Sequence, residues 1–115
     1  MRHDESQLQQ SCKRWFDLQY SDLSKLLIAI PNGGKRNKIE AAIMKLEGIV
    51  SGAPDMALLV GRSGYNNLFI ELKTEKGRQS ESQKAWQKDA EKYGSKYVII
   101  RSVDQFIETI NNYLK

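Results

Sequence analysis

A short aliphatic run from Asp55 to Val60 follows Pro54, and a second, Leu68-Phe69-Ile70-Glu71-Leu72-Lys73, comes after the turn-rich stretch Gly61 to Asn67. The two read as the arms of one antiparallel hairpin. Strand interiors disfavour Asp and Glu unless something compensates for the charge, so the acidic positions constrain how this hairpin is used. If Val60 pairs with Leu68, then Asp55 lies opposite Lys73 and Ala57 opposite Glu71. The two-residue period then puts Asp55, Glu71 and Lys73 on one face and Leu72 on the other. A slip of one residue would destroy that convergence. Two carboxylates and an amine at one spot suit a metal-dependent phosphodiesterase, with hard oxygen ligands for a divalent cation and a positive charge beside the attacking water or the phosphate. The competing reading is a pair of exposed strand carboxylates with a lysine that balances them.

Around the hairpin the periodicity alternates between helix and strand. From Glu5 to about Lys25, Leu8, Cys12, Trp15, Phe16 and Leu18 recur at mostly three- and four-residue steps, which predicts a helix. Leu26 to Ile30 reads as a short buried strand stopped by Pro31-Asn32-Gly33-Gly34. Ile39, Ala42, Ile43 and Leu46 mark the inward stripe of a second helix ending near Gly48. Ser80 with Gln83 forms a capping-box pattern before a helix closed by Gly94. Lys96 to Ile100 is a plain strand, and Ser102 caps a last helix that packs through Val103, Phe106, Ile107, Ile110 and Leu114. The order α-β-α-β-β-α-β-α predicts an α/β fold, a mixed sheet flanked by helices, over residues 1–115 as a single domain.

Composition narrows the chemistry. The one cysteine, Cys12, cannot build a Cys-rich zinc site, and the one histidine, His3, sits in a terminus expected to fray, which argues against a Ser-His-Asp triad. No apolar run is long enough to span a bilayer and the N-terminal segment is polar, so an intracellular location is the default. A formal charge of +4 favours nucleic acid over acidic partners. The stretch Asn32, Gly33, Gly34, Lys35 and Arg36 either makes a tight turn or grips a phosphate through backbone N–H groups and two basic side chains. Lys76 and Arg78 lie just beyond the carboxylates and extend the basic surface. Glu5 falls on the inward stripe of the first helix, although a glutamate there also suits the helix dipole. Gln83 either closes the capping box or belongs to the site. Trp15 and Trp86 are read as packing residues.

Glu5, Asn32-Gly33-Gly34-Lys35-Arg36, Gly52-Ala53-Pro54-Asp55, Phe69-Ile70-Glu71-Leu72-Lys73 and Gln83 together resemble the VRR-NUC domain, a branch of the PD-(D/E)XK nucleases with a restriction-endonuclease-like core. The resemblance spans nearly the whole chain. It implies Mg²⁺- or Mn²⁺-dependent cleavage of DNA that leaves a 5′-phosphate. Asp55 and Glu71 would bind the metal, the carbonyl of Leu72 and the helix-borne Glu5 would complete its shell, Lys73 would act on the water, and Gln83 would sit beside the site. Small stand-alone members are similar to Holliday junction resolvases that act as homodimers, are often phage-encoded, and match a chain of this length. The last helix and the hairpin tip are the candidate dimer surfaces. Versions inside larger repair proteins process flaps, which gives a monomeric flap or end-processing nuclease as the alternative. A DNA-binding module without catalysis is the second alternative.

If the glycine loop grips phosphate, replacing Lys35 and Arg36 together by Ala should weaken DNA binding and flatten its dependence on salt, because fewer counterions are released. Binding titrations at several salt concentrations measure this. An unchanged slope removes the loop from the interface.

Overall fold

The N-terminal apolar stripe forms helix α1, Arg2–Gln19, in a computed structural model that describes residues 2–31 and 37–115. Leu8, Cys12 and Phe16 face inward, and burial pushes the Cys12 thiol up to about 12, as suits a packed, protonated side chain. Leu18 does not belong to this stripe. It is 79% exposed, because two residues beyond Phe16 the helix has turned to its outer side. The expected single helix to Lys25 is divided, with Tyr20 leaving helical geometry and a 3₁₀ helix, Ser21–Leu26, following. Lys13 ties that turn down by donating to the carbonyls of Ser24 at 2.6 Å and Leu27 at 2.9 Å.

Four strands form one sheet in the order β1 (Leu27–Ala29), β2 (Met56–Leu58), β3 (Leu68–Leu72), β4 (Lys96–Ile100). The first three are antiparallel neighbours, and β4 runs parallel to β3 after the crossover through helix α3, Glu81–Lys92. Helix α2, Lys38–Leu46, lies between β1 and β2 in the chain, and α4, Val103–Tyr113, ends the fold. The element order is the one expected. β1 differs from the reading as a buried strand: it is an edge, and only Leu27 of its residues is buried.

One sheet face carries Leu27, Met56, Leu58, Leu68, Ile70, Leu72 and Ile100 against Cys12 and Phe16 of α1 and Phe106, Ile110 and Tyr113 of α4. This is the hydrophobic core. On the opposite face, Phe69 and Tyr97 pack against Trp86 of α3. The two tryptophans do pack, Trp15 edge-on to Phe106 and Trp86 edge-on to Phe69. Helix α2 departs from expectation. Its stripe faces outward, with Ile39 74% and Leu46 88% exposed, and none of its residues is buried.

The hairpin register also differs. Leu58, not Val60, pairs with Leu68, and Met56 pairs with Ile70, a shift of two residues. The tip leaves the ladder. Asn66 and Asn67 bond to the α3–β4 turn, through Asn66 N–H to the Gly94 carbonyl at 2.8 Å and Lys96 N–H to the Asn67 carbonyl at 2.9 Å. The β2–β3 ladder ends at Leu58 and Leu68, next to these contacts. Arg62 and Tyr65 make a separate bridge around Ser63 and Gly64, both at positive φ as a tight two-residue turn requires. A two-residue shift preserves the face of every side chain, so Asp55 and Glu71 still point the same way. Extending the register one step places Asp55 across from Glu71, not from Lys73.

No described helix is long and apolar enough to cross a membrane. Phe106→Ala, which empties a fully buried site between α4, α1 and the sheet, should cost about 3–5 kcal/mol. Urea denaturation should show a large fall in midpoint. A midpoint unchanged from wild type would contradict this account of the core.

Candidate active site

Asp55 and Glu71 are the two buried charged side chains among the described residues, at 8% and 3% exposure. Their placement begins with the turn Ser51-Gly52-Ala53-Pro54. Gly52 has φ +88°, and a Cβ there would lie 2.4 Å from the backbone oxygen of Ser82. Only glycine lets this turn press against the first turn of α3. Asp55 emerges from it just before β2. Its N–H donates to the Ile70 carbonyl at 3.0 Å, and its Oδ2 accepts from the N–H of Leu72 at 2.6 Å. The carboxylate thus takes a backbone donor of β3 and locks Asp55 beside Glu71.

Glu71 is held by donors from two other elements. Oε1 accepts from the Tyr97 hydroxyl of β4 at 3.1 Å, and Oε2 accepts from Nε2 of Gln83 in α3 at 3.0 Å. Lys73 Nζ stands 3.7 Å from Oε2 and donates to Gln83 Oε1 at 2.8 Å. Gln83 closes the capping box and also contacts Lys73 and Glu71. Its Oε1 also accepts from the N–H of Ser80 at 2.9 Å, while its own N–H donates to Ser80 Oγ at 3.2 Å, completing the capping box. Two donors on Oε1 fix the amide orientation, so Nε2 is the end that faces Glu71.

Burial, then the neighbouring charge of Asp55, pushes the Glu71 carboxyl up to about 7, against the opposing pull of Lys73 and of the Tyr97 hydrogen bond. Burial and a second carboxylate both disfavour the ionised form. The donors are hard oxygens, the kind a Mg²⁺- or Mn²⁺-sized cation prefers, and a cation there would relieve the repulsion. The residues present fit a divalent metal.

The site opens into a cleft of about 660 Å³ between α2 and the sheet, and Glu5, Asp55, Glu71, Lys73 and Gln83 all line it. Glu5 reaches the cleft but stands back from the pair. No group of three His, Cys, Asp or Glu residues able to hold an ion occurs among the described residues. The Leu72 side chain is buried in the core, and its backbone N–H belongs to Asp55. Lys76 and Arg78 are exposed on the segment after Lys73. Arg101 braces that segment by donating to the carbonyls of Thr74 and Gly77, each at 2.7 Å. Asn32, Gly33, Gly34, Lys35 and Arg36 lie outside the described residues.

Sequence reasoning did not find Tyr97, Arg101 or the close approach at Gly52. Tyr97 reads locally as one position of a plain strand. Its relevance depends on β4 being the parallel neighbour of β3, which pairs Tyr97 with Phe69 and leaves it one diagonal step from Glu71.

The VRR-NUC domain family model matches residues 1–104. No curated protein matches the chain. A solved structure described as a VRR_NUC domain protein superposes with a TM-score of 0.83 at 25% identity, covering 96% of this chain and 87% of that one.

The raised Glu71 pKa has a sign that can be tested. The folded protein binds this proton more tightly than the unfolded chain does, so the associated stability is complete below the ordinary value of 4.5 and lost as pH rises through about 7. Metal-free Glu71→Gln should therefore melt a few degrees above wild type near pH 8, with the difference vanishing near pH 4. Thermal melts across pH in the presence of a chelator measure this. A variant less stable than wild type at the higher pH would contradict the charge-repulsion account.

Proposed function

We propose, from the premise that this chain belongs to the VRR-NUC domain family, that it is a metal-dependent DNA endonuclease that nicks branched DNA, four-way junctions foremost, as a homodimer. The family is a nuclease domain of the PD-(D/E)XK type, which generally uses divalent metals and acts on DNA. The observation that carries the reading is the buried Asp55–Glu71 pair with Lys73 bonded into it through Gln83. Burying two carboxylates together is costly without a cation, and the arrangement has no evident structural use that apolar residues would not serve better.

Asp55 and Glu71 would hold Mg²⁺ or Mn²⁺, with the Leu72 carbonyl as a further donor and Glu5 as an outer one. Such an ion, when bound, supplies Lewis-acid stabilisation of the charge developing on the phosphate and lowers the pKa of water. Lys73 sits on the same side and would orient the attacking water through Nζ. Water attacks phosphorus in line, the P–O bond to the 3′ oxygen breaks, and the products are a 5′-phosphate and a 3′-hydroxyl. Gln83 keeps Lys73 and Glu71 at a fixed separation. Lys76, Arg78 and the Asn32–Arg36 segment would contact phosphates of the flanking DNA.

The homodimer reading draws support from α2. Ile39, Ile43 and Leu46 form an exposed apolar stripe at helical spacing, next to the cleft, with the exposed Val50 just beyond the helix. Two copies related by a two-fold axis would present two such clefts to symmetric strands of a junction. An intracellular location accords with such a substrate.

Asp55→Ala and Lys73→Ala should each lower nicking by about 10³-fold or more while leaving the circular-dichroism spectrum unchanged. The assay uses labelled junctions, flaps, duplexes and single strands, with Mg²⁺, with Mn²⁺ and with chelator. Undiminished cleavage by both variants would sink the assignment. Sedimentation of the same samples separates the finer readings: a monomer that cuts flaps and ignores junctions would replace the junction reading by end processing.

A further inference from the structure

The geometry points to Tyr97 as a positioning residue for the metal site, its hydroxyl fixing the plane of the Glu71 carboxylate beside Asp55. This inference rests on the metal-dependent reading above. A glutamate carboxylate turns freely about its last torsion unless something stops it. Here two donors stop it, one on each oxygen and each from a different element: Tyr97 Oη from β4 on Oε1 at 3.1 Å, and Gln83 Nε2 from α3 on Oε2 at 3.0 Å. A carboxylate oxygen offers two lone-pair directions, so one donor on each does not exhaust what the carboxylate can hold, and the Asp55 side chain bonds to the same carboxyl. The plane is set before any ion arrives.

Tyr97 is itself prevented from turning. Its ring is buried at 6% exposure, against Trp86 at 6.2 Å between centroids. Gln79 Nε2 lies 3.5 Å from the Tyr97 oxygen on the donor side, which commits the hydroxyl proton to Glu71. Gln79, which precedes α3, is held in turn by a 2.9 Å bond from the same Nε2 to Oε1 of Gln87 in that helix. The chain Glu71, Tyr97, Gln79, Gln87 therefore runs from the buried carboxylate to a half-buried position on α3. Outer partners of this type commonly set the affinity of a metal site by tenfold to a hundredfold.

Isothermal titration with Mn²⁺ alone tests the role, with no DNA and no turnover. Tyr97→Phe removes one oxygen and keeps the ring on Trp86. It should weaken Mn²⁺ binding by about tenfold or more. The metal concentration for half-maximal nicking should rise in step, and the rate should largely recover at saturating metal. Trp86→Phe disturbs the same packing without touching the hydroxyl, and should lower the melting temperature while leaving Mn²⁺ affinity as in wild type. Gln79→Ala, which leaves Tyr97 intact, should weaken Mn²⁺ in the same direction by a smaller factor, and it serves as the test if Tyr97→Phe does not fold. Unchanged Mn²⁺ affinity in Tyr97→Phe, or an equal loss in Trp86→Phe, would overturn the inference while the nuclease reading stands. Absence of Mn²⁺ binding by the wild-type protein would remove both.

Discussion

Two carboxylates buried side by side at the end of a hairpin are the costliest feature of this chain, and much of the surrounding structure serves to hold them. Asp55 is tied to the backbone of β3, and Glu71 is gripped from β4 and from α3. Even so, the Glu71 carboxyl is pushed up to about 7, so the hydrogen bonds offset only part of the penalty. What they do not offset, a divalent cation can. The sheet supplies rigidity for this: its other face is closed by Phe16, Phe106 and Ile110, which leaves the site no freedom to relax by collapse.

The same economy of residues appears in α3. Gln83 finishes the capping box with Ser80, and the same side chain joins Lys73 to Glu71. Helix start and site are thus one construction. Gly52 belongs to it as well, because its missing side chain lets the turn before Asp55 touch the backbone of Ser82, one residue from Gln83. Stability and catalysis would be hard to separate by mutation here, which is why tests that read metal affinity or pH dependence carry more than loss of activity alone.

Much of this was legible in the chain. The eight-element order, the capping box at Ser80, the N-cap at Ser102, and the shared face of Asp55, Glu71 and Lys73 follow from period and turn chemistry, which are local. The shared face came through a wrong register, and it held because the error was an even number of residues. Where the ladder stops goes with Asn66 and Asn67 bonding to the α3–β4 turn, a tertiary contact with no local signature. Tyr97 was hidden for a related reason, since strand adjacency after a crossover is not written in either strand. The outward face of α2 shows the opposite failure: helical period identifies an apolar stripe but not what covers it.

The central claim is that Asp55 and Glu71 form a divalent cation site. Anomalous diffraction from crystals soaked in Mn²⁺ tests it most directly. The account predicts a peak between the two carboxylates, with Glu71 still bonded to Tyr97 and Gln83. A peak elsewhere, or none at this pair in crystals whose soak is verified by the Mn²⁺ absorption edge, would contradict it.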